Sequence, residues 1–173
     1  MSKSVLISIQ PKWCELIANG KKTIEVRKNR PKLDTPFKCY IYCTKSFYRK
    51  GDGYFQGKYC GKVIGEFKCR EITYLGNIST DKWDYLKGNV HEFHKHIVTE
   101  KACLTENELL VYGGEYAWHI SDLKIYDEPK ELSKFIKCTY PFDCCVCDFW
   151  DSTYLVCANP IRPPQSWCYV DEI

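Results

Sequence analysis

Lys22, Glu25 and Arg27 lie within one stretch, Gly20-Lys21-Lys22-Thr23-Ile24-Glu25-Val26-Arg27, and their types and spacing suit chemistry on an anion. Arg27 offers a planar fork and Lys22 a movable point charge to a phosphate or a polar base atom. A lysine beside other cations is also a candidate base or nucleophile, with Glu25 as the group that orients it. The same trio can instead form a salt bridge that holds a turn, and the residues leave both readings open. A second set is Cys138-x5-Cys144-x2-Cys147-x9-Cys157, in which Cys145 can take the place of Cys144. Four soft ligands with one Cys-x-x-Cys step fit a structural zinc ion, an iron–sulfur cluster uses the same ligands, and a run of unligated thiols has the same pattern. His91, His94 and His96 form a weaker group that nothing else in the chain completes, so they read as surface histidines. His119 has no Ser or Asp pattern beside it that would make it catalytic.

The elements that must position these groups follow from periodicity. Ser4–Ile9 reads as a strand. Trp13, Leu16 and Ile17 recur at helical spacing after Pro11, and Gly20 suits the left-handed residue that stops a helix. From Thr23 to Arg27 the period is two. That places Ile24 and Val26 on one face and Glu25 and Arg27 on the other, a charged face costly to bury. Phe37–Thr44 and Lys62–Ile72 read as strands, the second bent at Gly65. Gly51, Gly53 and Gly57 mark a long loop between them, read as a mobile flap. A helix runs from Thr80 or Asp81 to about Lys87. Thr105-Glu106-Asn107-Glu108 is a capping box, and Gly113-Gly114 ends the helix it opens. Glu115–Tyr126 alternates as a strand, and Pro129 starts a short helix. Thr153–Val156 and Ser166–Val170 close the chain as strands. Strands outnumber helices without a βαβ rhythm. The fold class is α+β, mainly β: a small β-barrel with peripheral helices.

The motif residues also resemble a family. Ser8-Ile9-x-Pro11-x-Trp13, Ile17 and Gly20-x-Lys22-x-x-Glu25-x-Arg27 are similar to the signature of ASCH domains, a branch of the PUA-like β-barrels. The likeness continues through Val63-Ile64-Gly65-Glu66-Phe67, Tyr116-Ala117-Trp118-His119-Ile120 and Pro163-Pro164-Gln165-Ser166-Trp167-Cys168-Tyr169-Val170. The resemblance implies a cleft directed at RNA or a modified nucleoside, without fixing one reaction, since members include binders, a ribonuclease and an amidohydrolase of acetylated cytidine. Glu100-x-x-x-Leu104-Thr105, then Leu109, resembles the stretch that supplies the catalytic glutamate of the amidohydrolase branch, and Lys22 matches its lysine. A Lys22/Glu100 pair would activate water against an amide carbonyl. This chain departs where that branch has a threonine three residues after the lysine: here Glu25 stands, and an ionised carboxylate donates no hydrogen bond to an oxyanion.

Composition bounds the rest. The chain has 173 residues, 45% hydrophobic and 27% charged, which fits one globular domain over residues 1–173 with a Cys-rich insertion at about 138–157. No apolar run approaches a membrane span, and Met1-Ser2-Lys3-Ser4 leads into a strand rather than a secretion signal, so the expectation is a soluble, cytoplasmic protein with no membrane partner. Its twelve cysteines then read as reduced thiols. Net charge is +3, unevenly placed: residues 1–70 hold 16 Lys and Arg against 5 Asp and Glu, and residues 71–173 hold 9 against 17. The basic part carries the motif and Lys21, Lys28 and Arg30, cations that attract phosphates irrespective of sequence. The expected ligand is RNA or a nucleotide-like molecule, bound by Lys21, Lys22, Arg27, Lys28 and Arg30. The enzymatic alternative, a ribonuclease or acetylcytidine amidohydrolase, would use Lys22, Glu25 and Glu100. A third class is a protein-interaction module, of the phage-associated kind, in which the charge asymmetry serves a partner protein. The oligomeric state has no signal in the sequence.

Overall fold

The structure is a computed structural model that describes residues 3–45, 48–50, 53–55, 59–75, 92–135 and 163–172, with backbone alone at 48–50, 53–55, 92–96 and 110. Its elements are β1 Lys3–Ile9, α1 Pro11–Ala18, β2 Ile24–Arg27, β3 Phe37–Cys43, β4 Tyr48–Lys50, β5 Gly53–Phe55, β6 Val63–Tyr74, α2 Glu92–Ala102, α3 Glu106–Tyr112, β7 Tyr116–Lys130 and β8 Trp167–Asp171. Six strands hydrogen-bond in the order β2-β7-β6-β3-β1-β8, and β4 pairs with β5. The mainly β class read from the sequence is the one found. The chain divides into two compact units, one of residues 1–11, 39–66 and 124–173, the other of 12–38 and 67–123.

The first unit is built on β1. This strand is buried on both faces, with Val5, Leu6 and Ile7 fully enclosed, as expected of a strand that is apolar without strict alternation. It runs parallel to β3, with Val5 opposite Cys39, and antiparallel to β8, with Leu6 opposite Cys168. The Ser8 hydroxyl donates to the Pro164 carbonyl at 2.6 Å, and the Ser8 N–H donates to Ser166 at 2.8 Å, which ties the chain entering β8 to β1. Leu6, Tyr40, Tyr42, Val63, Leu132, Phe135 and Val170 form the core, with the Tyr40 and Phe135 rings 4.8 Å apart. Gly65 lies inside β6, where a Cβ would meet the Lys124 carbonyl oxygen at 2.5 Å, so the sequence signal marks a close backbone approach.

Three elements differ from expectation here. Tyr48–Lys50 and Gly53–Phe55 pair as antiparallel strands where a flap was read from the glycines. The strand β7 continues through Pro129 to Lys130, and only a 3-10 turn, Leu132–Lys134, stands where a helix was expected. An edge position or strand end tolerates a proline that lacks an N–H, which removes the reason to start a helix there. The helix expected near 80–87, the strand at 153–156 and the cysteines Cys138, Cys144, Cys145, Cys147 and Cys157 lie outside the described residues. Among the described residues no group of three or more His, Cys, Asp or Glu is arranged to hold a metal ion.

In the second unit, β2 pairs antiparallel with β7, with Ile24 opposite His119 and Arg27 opposite Tyr116. Ile24, Val26, Ala102, Leu109 and Ala117 form its core, placing α2 and α3 against one face of β2. Helix α2 had no clear periodic signature: Val98, Thr99 and Ala102 are buried, and the polar Glu100 and Lys101 between them are exposed. Helix α3 begins as its capping box requires. The Thr105 hydroxyl accepts from the Glu108 N–H at 3.1 Å, and Glu108 Oε2 accepts from the Thr105 N–H at 2.8 Å.

Candidate functional site

The site is built by two helix ends. At the end of α1, Gly20 adopts φ +70°, its N–H donates to Ile17 at 2.9 Å and the Lys21 N–H donates to Leu16 at 2.9 Å. This bond pair is a Schellman stop, which reverses the chain and delivers Lys22 to the start of β2. Helix α2 ends the same way. The Cys103 N–H donates to Glu100 and the Leu104 N–H to Thr99, both at 3.0 Å, with Cys103 at φ +55° in the position that glycine usually fills.

The last carbonyls of a helix have no partner within it. Here the segment that enters β2 supplies them. The Thr23 N–H donates to the Lys101 carbonyl at 2.9 Å, and Lys22 Nζ donates to the Ala102 carbonyl at 2.7 Å. An ammonium at a helix C-terminus also meets the negative end of the helix dipole. On its other side, Lys22 Nζ lies 3.3 Å from Glu25 Oε2, and Arg27 Nη2 lies 3.1 Å from Glu25 Oε1. One carboxylate therefore bridges two cations. The Lys22 contact at Oε2 is an ion pair rather than an aligned hydrogen bond. Trp13 completes the surroundings, with the Lys22 ammonium 5.1 Å and the Lys12 ammonium 4.3 Å from its ring centre, within cation–π range.

Burial decides how this array can act. Lys22 is 3% exposed, Glu25 7% and Arg27 7%. The alternation of β2 placed Glu25 and Arg27 on a face that was expected to remain open, yet both faces of the strand are buried. The mutual ion pairs and the α2 carbonyl allow that burial, since a buried charge needs a partner. The flanking cations behave oppositely: Lys21, Lys28 and Arg30 are all exposed. Glu100, the other residue matched to a hydrolase, sits in α2 two residues before Ala102 with an exposed side chain. The structure thus brings Lys22, Glu25 and Arg27 together and leaves Lys21, Lys28, Arg30 and Glu100 at the surface.

Two features had no sequence signal. The Ala102 carbonyl is a backbone group whose role depends on where α2 stops. His119 pairs through Nε2 with Thr73 Oγ1 at 2.9 Å, and burial pushes its imidazole below the ordinary histidine value, with Lys101 adding to that and Glu71 opposing it. Its neighbour Trp118 is fully buried and packs edge-on against Phe37 at 5.9 Å, in keeping with the opposite orientations of adjacent strand residues. Cys69 is also enclosed, and burial raises its thiol to about 12, so it is no nucleophile. Trp13 and Trp167 are both only half-buried.

Comparison with known proteins follows the geometry. The sequence profile of the ASCH domain matches residues 7–130. No curated protein matches the chain. Among solved structures, an ASCH protein from Zymomonas mobilis has 21% identity and a TM-score of 0.52, covering 76% of this chain and 75% of its own. A serine-to-alanine variant of the Zymomonas mobilis protein has 19% identity and a TM-score of 0.60, covering 98% of this chain and 89% of its own. A tyrosine-to-phenylalanine variant has 21% identity and a TM-score of 0.53, with coverage of 77% and 78%. At these identities the likeness is one of fold. No helix among the described residues is long and apolar enough to cross a membrane.

Proposed function

The chain belongs to the ASCH domain family, and on that premise we propose that it binds RNA or a nucleotide-like ligand through cations displayed around a buried, ion-paired frame. One observation carries the reading. Lys22 and Arg27 are both ion-paired to the one carboxylate of Glu25 inside the second unit, while their sequence neighbours Lys21, Lys28 and Arg30 stand exposed on either side of β2. In this reading the motif has a division of labour. The buried trio fixes the helix exit and the strand, and the exposed cations meet phosphates. Lys22 and Arg27 act on the ligand by positioning, and Glu25 holds both in place.

The hydrolase alternative draws support from the pairing of Lys22 with Glu25, a lysine and a carboxylate 3.3 Å apart. It needs Glu100 to join them, and Glu100 is exposed where Lys22 is enclosed. Binding is therefore the reading that the geometry supports better.

The test is fluorescence anisotropy with a labelled single-stranded RNA over a salt series. Log affinity of the unmodified protein should fall linearly with log salt, and the combined Lys21→Ala, Lys28→Ala, Arg30→Ala variant should lose about 0.7 of slope per phosphate contact removed. Absence of salt-sensitive binding by the unmodified protein at about 50 mM salt would overturn the reading. Incubation with short RNA and with acetylated cytidine separates the alternative: turnover abolished by Lys22→Ala would establish an enzyme.

A further inference from the structure

Helix α3 presents an unusual pair of residues to solvent. Val111 is 87% exposed and Tyr112 39%, although both follow Leu109, which is buried at 1%. They line an open groove of about 490 Å³ with Lys28, Asn107 and Glu108. The Lys28 ammonium lies over the Tyr112 ring, 5.7 Å from its centre, so one residue of the motif segment and one of α3 are in cation–π range of each other there. The run that leaves the groove continues the charge, because Arg30 and Lys32 are exposed as well.

The chemistry of the lining is mixed in an informative way. Tyr112 supplies an aromatic face, Val111 an apolar wall, Asn107 an amide that both donates and accepts, and Lys28 a point charge. Glu108 is the one anion among these residues. Its Oε2 accepts from the N–H and hydroxyl of Thr105 at 2.8 and 3.0 Å, bonds that hold its carboxyl below the usual carboxylate range, and its Oε1 lies 3.9 Å from Lys12 Nζ. Its charge is thus turned toward the helix cap and Lys12, and the charges at the groove, Lys28 and Lys12 against Glu108, are net positive. A flat guest with a polar edge and an anionic tail complements this set.

We infer that the groove of Lys28, Asn107, Val111 and Tyr112 is a stacking site for one unpaired base of a single-stranded RNA, with the base on Tyr112, its edge toward Asn107 and the adjoining phosphate on Lys28. The inference rests on the RNA-binding reading above and adds to it a site on α3 for a specific part of the ligand. Stacking is tolerant of sequence, so this site contributes affinity for unpaired strands rather than for a particular base.

The experiment uses the full chain and a fluorescein-labelled oligouridylate, read by anisotropy over a salt series. Tyr112→Ala should weaken binding by about 5- to 100-fold with the salt slope unchanged, because stacking releases no counterions. Tyr112→Phe keeps the ring and should bind as the unmodified protein does. Lys28→Ala should reduce the slope by about 0.7. Val111→Asp, at a position too exposed to affect folding, should weaken binding at low salt by a factor that shrinks as salt rises. If the unmodified chain binds with the expected salt dependence while Tyr112→Ala and Val111→Asp match it, the stacking site is overturned and the general reading stands, leaving this face to a protein partner. If the unmodified chain shows no salt-sensitive binding, both fall together.

Discussion

The two compact units reach a closed interior by different means. The first unit closes with apolar and aromatic side chains: Leu6, Tyr40, Tyr42, Val63, Phe135 and Val170 meet without a charge among them. Glu66, at its margin, accepts a 2.6 Å hydrogen bond from the Tyr126 hydroxyl, and burial, with this bond adding to it, raises the phenol well above its ordinary value. The second unit has an apolar cluster of its own and, beside it, three enclosed charges. It also leaves apolar side chains outside, at Val111 and Tyr112. A region that buries charge and exposes hydrocarbon departs from what stability alone favours, and such departures gather where a molecule meets a ligand. Replacing buried ion pairs by well-packed apolar groups is often neutral or stabilising, so stability gives no reason for the Lys22–Glu25–Arg27 array.

The contrast can be broken first at Glu25. Glu25→Ala leaves two enclosed cations without their shared carboxylate and should cost about 3–5 kcal/mol of folding stability in urea denaturation. A loss below about 1 kcal/mol, typical of surface pairs, would mean that the array is solvated and the two units do not differ in this respect. Leu6→Ala, in the apolar core of the first unit, should cost about 2–5 kcal/mol through lost burial and a residual cavity. Salt separates the mechanisms, since the Leu6 variant should lose the same amount at low and high ionic strength.

Thr105→Ala removes the hydroxyl that caps α3 and should cost about 0.5–2 kcal/mol, read by urea midpoint. Because Glu108 would lose two of its hydrogen bonds, this variant also tests whether the cap holds the groove beside Tyr112.

The smallest effect is expected from His119. Its folded-state value lies below the ordinary 6.5, so the unfolded chain binds the proton more readily. The stability that His119 contributes is therefore present above about pH 6.5 and is lost as pH falls through the lowered folded value. His119→Gln should give a flatter stability profile below about pH 6.5 than the unmodified protein. Parallel profiles would show that the imidazole remains solvated.

Much of the second unit was legible residue by residue. The period of two from Thr23 to Arg27, the stop at Gly20 and the capping box at Thr105 each depend on neighbours within about four positions, so local chemistry dictates them. Helix α2 was not legible, because Val98 and Ala102 stand among Glu, Lys and His residues and one i, i+4 pair is too short a pattern to mark a helix. The strand through Pro129 was misread as a helix start because proline serves both positions and only the strand pairing chooses. The motif cations were recognisable as a group, but their exposure was not. Lys21 and Lys22 are adjacent and chemically identical, yet one is exposed and the other 3% exposed.

That adjacent pair marks the division between the two kinds of information. Residue types and spacing by themselves determined that a helix stops at Gly20, that a strand follows, that Glu25 and Arg27 share a face and that the chain carries the ASCH signature. Each of these is a matter of dihedral preference or period, complete within a few bonds. Which lysine would face solvent, and which would find a carbonyl at the end of α2, was decided only when residues 80 positions apart were brought to 2.7 Å. A charge acquires its role from the dielectric and the partners around it, and those come from packing that no short stretch of chain contains.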